Sequence, residues 1–305
     1  AGRAAAPAPV HRPPPGDIAL IVVAVLAVST SGPLITAAAA PSLAVAFWRN
    51  ALASGVLMPW TLARRRVELR GMDRRERRLV GGAGVLLAAH FATWVPSLAF
   101  TSVASATALV ATQPVWAALL AHRLGRPVPR RAWLGIAVAV VGAAVISGVD
   151  VAASRRALVG DGLALAGAVF AAAYVTVGAE VRRSISTTVY TSLCYALTAG
   201  LLLVGCLIGG FPLAGYRAGT WVKLGALTVG PQLLGHSVFN RVLRTTSPTL
   251  VSLAILFEAP GAAAIAAIWL HQHPRPGVFV GLAVLMLGLA VVLGSAPAGG
   301  SQPLE

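Results

Sequence analysis

Apolar runs of roughly twenty residues follow one another along this chain, separated by short connections that carry most of its arginines. Each run is long enough for a helix to cross the hydrocarbon of a bilayer, where a helix satisfies its own backbone N–H and C=O groups within one segment. Ten can be marked, at 18–38, 43–62, 79–99, 104–122, 132–149, 161–179, 188–209, 221–239, 248–269 and 277–294. At 57% hydrophobic and 11% charged residues, with mean hydropathy +0.80, the chain is too apolar for a soluble domain. The expected fold class is all-α integral membrane, with the lipid bilayer as its first partner.

A net charge of +15 could suggest nucleic acid, but a nucleic-acid surface needs its basic residues together on an ordered soluble face. Here they stand in short stretches between apolar runs, so the charge reports topology and no nucleic-acid partner is expected. With the N-terminus in the cytoplasm, eighteen basic residues fall on the inside and five on the outside, and Arg49 is left within the second run. That bias places the chain in the cytoplasmic (inner) membrane as a multi-pass protein with both termini cytoplasmic. Trp60, Trp133, Trp221 and Trp269 fall at helix ends, where an amphipathic ring prefers the interface. Residues 1–16, AGRAAAPAPVHRPPPG, are proline-rich and read as a disordered tail. Residues 296–305, ending GGSQPLE, read as an appended tail outside the fold. Cys194 and Cys206 share one apolar run, about 18 Å apart on a helix, which is too far for a disulfide.

Sliding the sequence by 146 positions lays His90–Gly148 over His236–Gly294 without a gap. Gly84 then falls on Gly230, His90 on His236, Pro114 on Pro260, Gly135 on Gly281, Gly142 on Gly288 and Gly148 on Gly294. Matches of glycine, proline and histidine are not what an alanine-rich and leucine-rich chain yields by chance, so the chain is an internal duplication. Residues 17–149 form the first five-helix repeat, 150–160 an outside linker, and 161–295 the second repeat. Five is odd, so the second repeat starts on the opposite face from the first, and the expected architecture is ten transmembrane helices as two inverted five-helix repeats. Such repeats serve alternating access, with the substrate between them near the midplane.

The segments PSLAVAFWRNALASGVLMPWTLARRR, ALVATQPVWAALLAHRLGRPVPRRAWLGIAVAVVGAAVI, LVSLAILFEAPGAAAIAAIWL and GVFVGLAVLMLGLAVVLG resemble the EamA-type transporters of the drug/metabolite transporter superfamily, relatives of which export aromatic amino acids. The resemblance covers nearly the whole chain. It implies a ten-helix exporter of small metabolites, amino acids or drugs. One departure is plain: Arg126 and Gln272 stand where the family often has Glu after the fourth helix of a repeat, and that Glu's role is not carried over.

Ionisable groups at membrane depth are costly and are functional candidates by default. Four lie well inside the expected spans: Arg49, His90, His236 and Glu258. His90 falls about 15 Å into a core of about 30 Å, at the midplane, and Glu258 at similar depth. Gln232, His236 and Asn240 recur at i, i+4 and i+8, one polar stripe on an apolar helix, and the shift places Leu86, His90 and Trp94 on the equivalent face. Polar side chains in membrane helices commonly hold helices together, and that reading stands beside the functional one. The substrate-binding set is then His90, Trp94, Tyr174, Gln232, His236 and Asn240, with Glu258 coupling a proton or orienting the substrate. Arg49 is a structural charge needing a partner, and Pro114 and Pro260, at equivalent positions, are hinges. Ser29–Pro33 interrupts the first helix, and Gly135, Gly142, Gly277, Gly281 and Gly288 allow close helix contact.

No phosphate-cradling loop, nucleophile elbow or histidine metal motif is present, so no enzyme, cofactor or metal is expected. The reading is a secondary transporter of a small molecule, driven by the substrate gradient or by protons. Its rivals are an intramembrane enzyme using His90, His236 and Glu258, which would need those side chains to converge, and a structural or partner-binding membrane protein. The sequence implies no oligomeric state.

Overall fold

The computed structural model describes residues 15–242 and 248–295, apart from the side chains of Pro15, Ala153, His236, Ser237, Asn240, Pro248 and Thr249. Among the described residues all regular structure is helical. The first apolar run is split into α1 (Pro15–Ser29) and α2 (Ser31–Ala37), and the second is α3 (Ser42–Arg64). The arginine-rich connection folds into α4 (Arg66–Gly71) and the start of α5 (Arg74–Ser97). Next come α6 (Val103–Val110), α7 (Gln113–Arg123), α8 (Arg130–Ala153), α9 (Arg155–Val181) and α10 (Thr187–Ile208). The eighth run is α11 (Ala218–Leu227), a π-helical segment (Thr228–Gly235) and α12 (His236–Val242). The last two are α13 (Pro248–Ile255) with α14 (Glu258–Trp269), and α15 (Pro276–Gly294).

Eight helical segments are long and apolar enough to cross a membrane. The sequence reading expects ten. The other two are α3, whose 23 residues include Arg49, Asn50 and Arg64, and the run 218–242, which carries Lys223 and Gln232 and is interrupted by the π segment. Outward-facing Val22, Leu26, Val56, Leu134, Val140, Leu207, Ile208, Val222, Ile268 and Leu287 are each more than half exposed. A soluble monomer rarely exposes so much apolar surface, whereas lipid covers it at no cost.

The breaks have local causes. Pro114 and Pro260 have no N–H to donate to the carbonyl four residues back, and each helix parts just before them, at Ala111–Thr112 and Leu256–Phe257. Thr112 covers its break by donating its hydroxyl to Leu109 O at 2.6 Å and accepting from Trp116 Nε1 at 3.1 Å. Thr30, between α1 and α2, donates to Ala27 O at 2.7 Å.

Glycine sets the closest helix pair, α8 against α15. A Cβ on Gly135 would stand 2.7 Å from Gly288 O, one on Gly281 would stand 2.9 Å from Gly142 O, and one on Gly142 or Gly288 would overlap the backbone of Leu285 or Ala139. Bare backbones in contact are how membrane helices gain dispersion energy where lipid removes any hydrophobic drive between them. The other main pairs are α5 with α9, α3 with α10, α5 with α10, α7 with α9, α1 with the π segment, α6 with α14 and α6 with α9. The arginine-rich end is tied by polar contacts: Asp73 and Glu76 form a capping box on α5, Arg75 and Arg183 pair with Glu180 at 2.8 and 3.1 Å, and Glu68 accepts from Ser186 N at 2.6 Å.

Candidate functional site

Helix α3 carries Arg49 and Asn50 on its inner face, 3% and 0% exposed, deep in an apolar molecule. A buried guanidinium needs compensation, and here it is a neutral amide. Arg49 Nε donates to Gln232 Oε1 at 2.6 Å, and Nη1 reaches Ser31 Oγ at 3.5 Å. Gln232 is presented by the π-helical segment, which contains Pro231; a π turn of this kind is frequent where a helix serves a site. The Gln232 amide passes the polarity on, its Nε2 donating to Asn50 Oδ1 at 3.3 Å, while Asn50 Nδ2 donates to Ala46 O at 2.8 Å. The guanidinium lies over the Phe91 ring, 4.5 Å from its centroid, with Trp94 at 6.0 Å. The Tyr195 hydroxyl is beside Gln232, and Tyr195 and Glu258 both feel the Arg49 charge. Among the described residues no carboxylate forms an ion pair with Arg49. A guanidinium has five N–H groups, so the site offers further donors for acceptor oxygens beside two aromatic faces.

The structure brings four of the sequence-derived candidates into this neighbourhood: Arg49, Gln232, Trp94 and Glu258. Glu258 opens α14, immediately after the break that precedes Pro260. His90 stacks on Trp94 at 5.7 Å and its Nδ1 meets Gly167 O at 2.9 Å, which ties α5 to α9 where Gly167 lets Trp94 approach. Tyr174 stacks on Tyr190 at 5.9 Å, between α9 and α10. The side chains of His236 and Asn240 lie outside the described residues. The π segment also changes the angular spacing behind the Gln232, His236 and Asn240 stripe, because a π turn holds more residues than an α turn. Asn50, Ser31, Phe91 and Tyr195 complete the cluster without having been singled out as ligands; Asn50 could have been found as the polar neighbour of Arg49 in AFWRN. Gln272, at the place of the family's Glu, accepts from Val103 N at 3.1 Å and so caps α6.

The EamA-like transporter family matches residues 16–148 and again 158–294, nearly the whole chain in two repeats. The chain belongs to that family. It is therefore a membrane transporter of the drug/metabolite type, multi-pass, with a small molecule as its cargo. Among curated proteins none matches the chain. Among the solved structures that match is a crystal structure that shares this fold at TM-score 0.61, with 20% sequence identity over 92% of this chain and 99% of that one. At that identity the likeness concerns the fold alone.

Proposed function

We propose that this EamA-like transporter is a secondary exporter that moves small amphipathic or zwitterionic metabolites, amino acids, their relatives or drugs, across the cytoplasmic membrane by alternating access. Its ten spans would be the eight apolar segments together with α3 and 218–242, arranged as inverted repeats. The helix pairing supports a two-fold relation. Exchanging the halves turns the contact of α1 with the π segment into that of α9 with α5 and the contact of α7 with α9 into that of α14 with α1, and leaves α3 with α10 and α8 with α15 as pairs. Those contacts thus have their counterparts, whereas α6 with α14 is not matched by a comparable contact of α13 with α7 among the described residues.

The observation that carries the substrate site is Arg49, a buried cation held by neutral groups where α2, α3, α5 and the π segment meet. Trp94, Gln232, Asn50 and Arg49 would receive the polar end of the substrate, with His90, His236, Asn240 and Tyr174 along its route. Glu258 would orient the substrate or carry a proton, and the paired breaks before Pro114 and Pro260 would absorb the hinge motion.

Reconstituted protein should show saturable counterflow for one class in a panel of labelled amino acids and cationic drugs, assayed with and without a pH gradient. A flux that responds to the gradient would show proton coupling and turn attention to Glu258 and the histidines. Folded protein that moves none of these compounds would refute the reading.

A further inference from the structure

A second buried polar group stands apart from Arg49, at the corner where α8 hands over to α9. Ser154 caps α9 there, its hydroxyl oxygen accepting from Arg156 N at 3.2 Å. Asp150 on α8 is 8% exposed and accepts from Thr101 Oγ1 at 3.2 Å. Asp161 on α9 is 1% exposed, and neither of its carboxylate oxygens completes a hydrogen bond, although Ser147, Thr101 and Asp150 surround it. Gly160 brings this about: a Cβ there would stand 2.8 Å from Thr101 N and 3.0 Å from Phe100 Cβ, so only a bare backbone lets α9 close on the 98–102 turn and seal Asp161 inside.

Two carboxylates close together and out of water cannot both stay uncompensated. The nearest cations do not supply the charge. Arg155 and Arg156 precede Asp161 on the same helix, but both are exposed, Arg156 lies over the Phe100 ring at 5.0 Å, and among the described residues neither forms an ion pair. The donor set is entirely oxygen: two carboxylates and two hydroxyls. Among the described residues no third His, Cys, Asp or Glu joins it.

We propose that Thr101, Ser147, Asp150 and Asp161 form a binding site for one monovalent cation, a proton or a sodium ion. The donors come from both sides of the junction between the family-matched repeats: Thr101 and Ser147 belong to the first, Asp161 to the second, and Asp150 lies in the link. Occupancy therefore favours the arrangement in which the two repeats converge at this corner, and it does so whatever the cargo and whatever binds at Arg49.

The test is a thermal melt of detergent-solubilised protein, with choline chloride holding ionic strength constant, over a hundredfold range of sodium at fixed pH and over a pH series without sodium. A ligand that binds only the folded state raises the melting temperature with its own concentration, here by about 2–5 °C over that range. The sodium arm and the proton arm say which cation it is. Asp161→Asn, which keeps the shape and removes the charge, should abolish the response. Thr101→Val combined with Ser147→Ala keeps both carboxylates and should raise the half-saturating concentration about tenfold, which serves if the Asn variant does not fold. A wild type indifferent to both cations overturns the proposal, and so does a response that survives unchanged in the variants.

Discussion

At the scale of single residues the molecule turns on Arg49. The sequence marks it as a charge at membrane depth that needs a partner, and reads it as structural; the structure supplies Gln232, a neutral acceptor 183 positions away. Replacing that amide by a carboxylate separates the two roles. Gln232→Glu would place an anion where Oε1 now accepts from Arg49, complete a buried ion pair and occupy the guanidinium's fork. If Arg49 serves the substrate, this variant melts higher than wild type while counterflow in proteoliposomes falls about tenfold or more, in keeping with the loss of about 1.5–3 kcal/mol for a hydrogen bond to a charged group. Arg49→Lys should lose flux as well, because an ammonium cannot reproduce the planar fork. Undiminished flux in Gln232→Glu would return Arg49 to holding helices together. The individual residues were legible because charge in lipid is expensive wherever it occurs. Their meeting was not, since neither hydropathy nor spacing within one helix says which side chain on another helix will face it.

At the scale of elements, the glycines of α8 and α15 were legible as a close contact, and the structure gives them separate duties. Gly142 and Gly288 touch the backbone of the opposite helix, whereas Gly148 and Gly294 face open space. Gly288→Val would force the two helices apart, an overpacking that costs about 1–3 kcal/mol or more, and should lower the melting temperature and folded yield in detergent. Gly148→Ala, which meets nothing within 4 Å, should leave both unchanged or slightly raised, because alanine is the better helix former. Equal effects of the two substitutions would mean that the α8 and α15 contact is not a tight one. The proline breaks were also readable, since a missing N–H is written into the residue itself. The π segment at Thr228–Gly235 was not: a run of apolar residues has the same composition in an α and a π turn, and only the partner helices decide between them. The Asp73 and Glu76 capping box shows the converse, a local signal in plain view within a stretch read only as an arginine-rich connection.

For the whole molecule, the repeat at a shift of 146 makes a claim that does not depend on any one site. Five helices per repeat and a single connection between repeats require equivalent positions of the two halves to stand on opposite faces of the membrane, provided that α3 and 218–242 both cross it. Those two segments are the uncertain-looking ones by hydropathy because each carries the polar groups of the candidate site, so counting spans by apolarity alone undercounts where function sits. Arg126, after α7, and His273, after α14, are exposed and lie within one residue of equivalence under the shift. The native Cys194 and Cys206 are buried and should not react. Single Arg126→Cys and His273→Cys variants in intact cells, treated with a membrane-impermeant maleimide, should therefore differ: cysteine at 273 labels from outside, and cysteine at 126 labels only after the membrane is opened. The arginine bias predicts that sense, because Arg123, Arg126, Arg130 and Arg131 cluster on one connection while the connection at 270–275 holds Arg275 alone. Labelling of both from the same side would leave the duplication intact and remove the inversion, and with it the argument that the two halves exchange roles around Arg49.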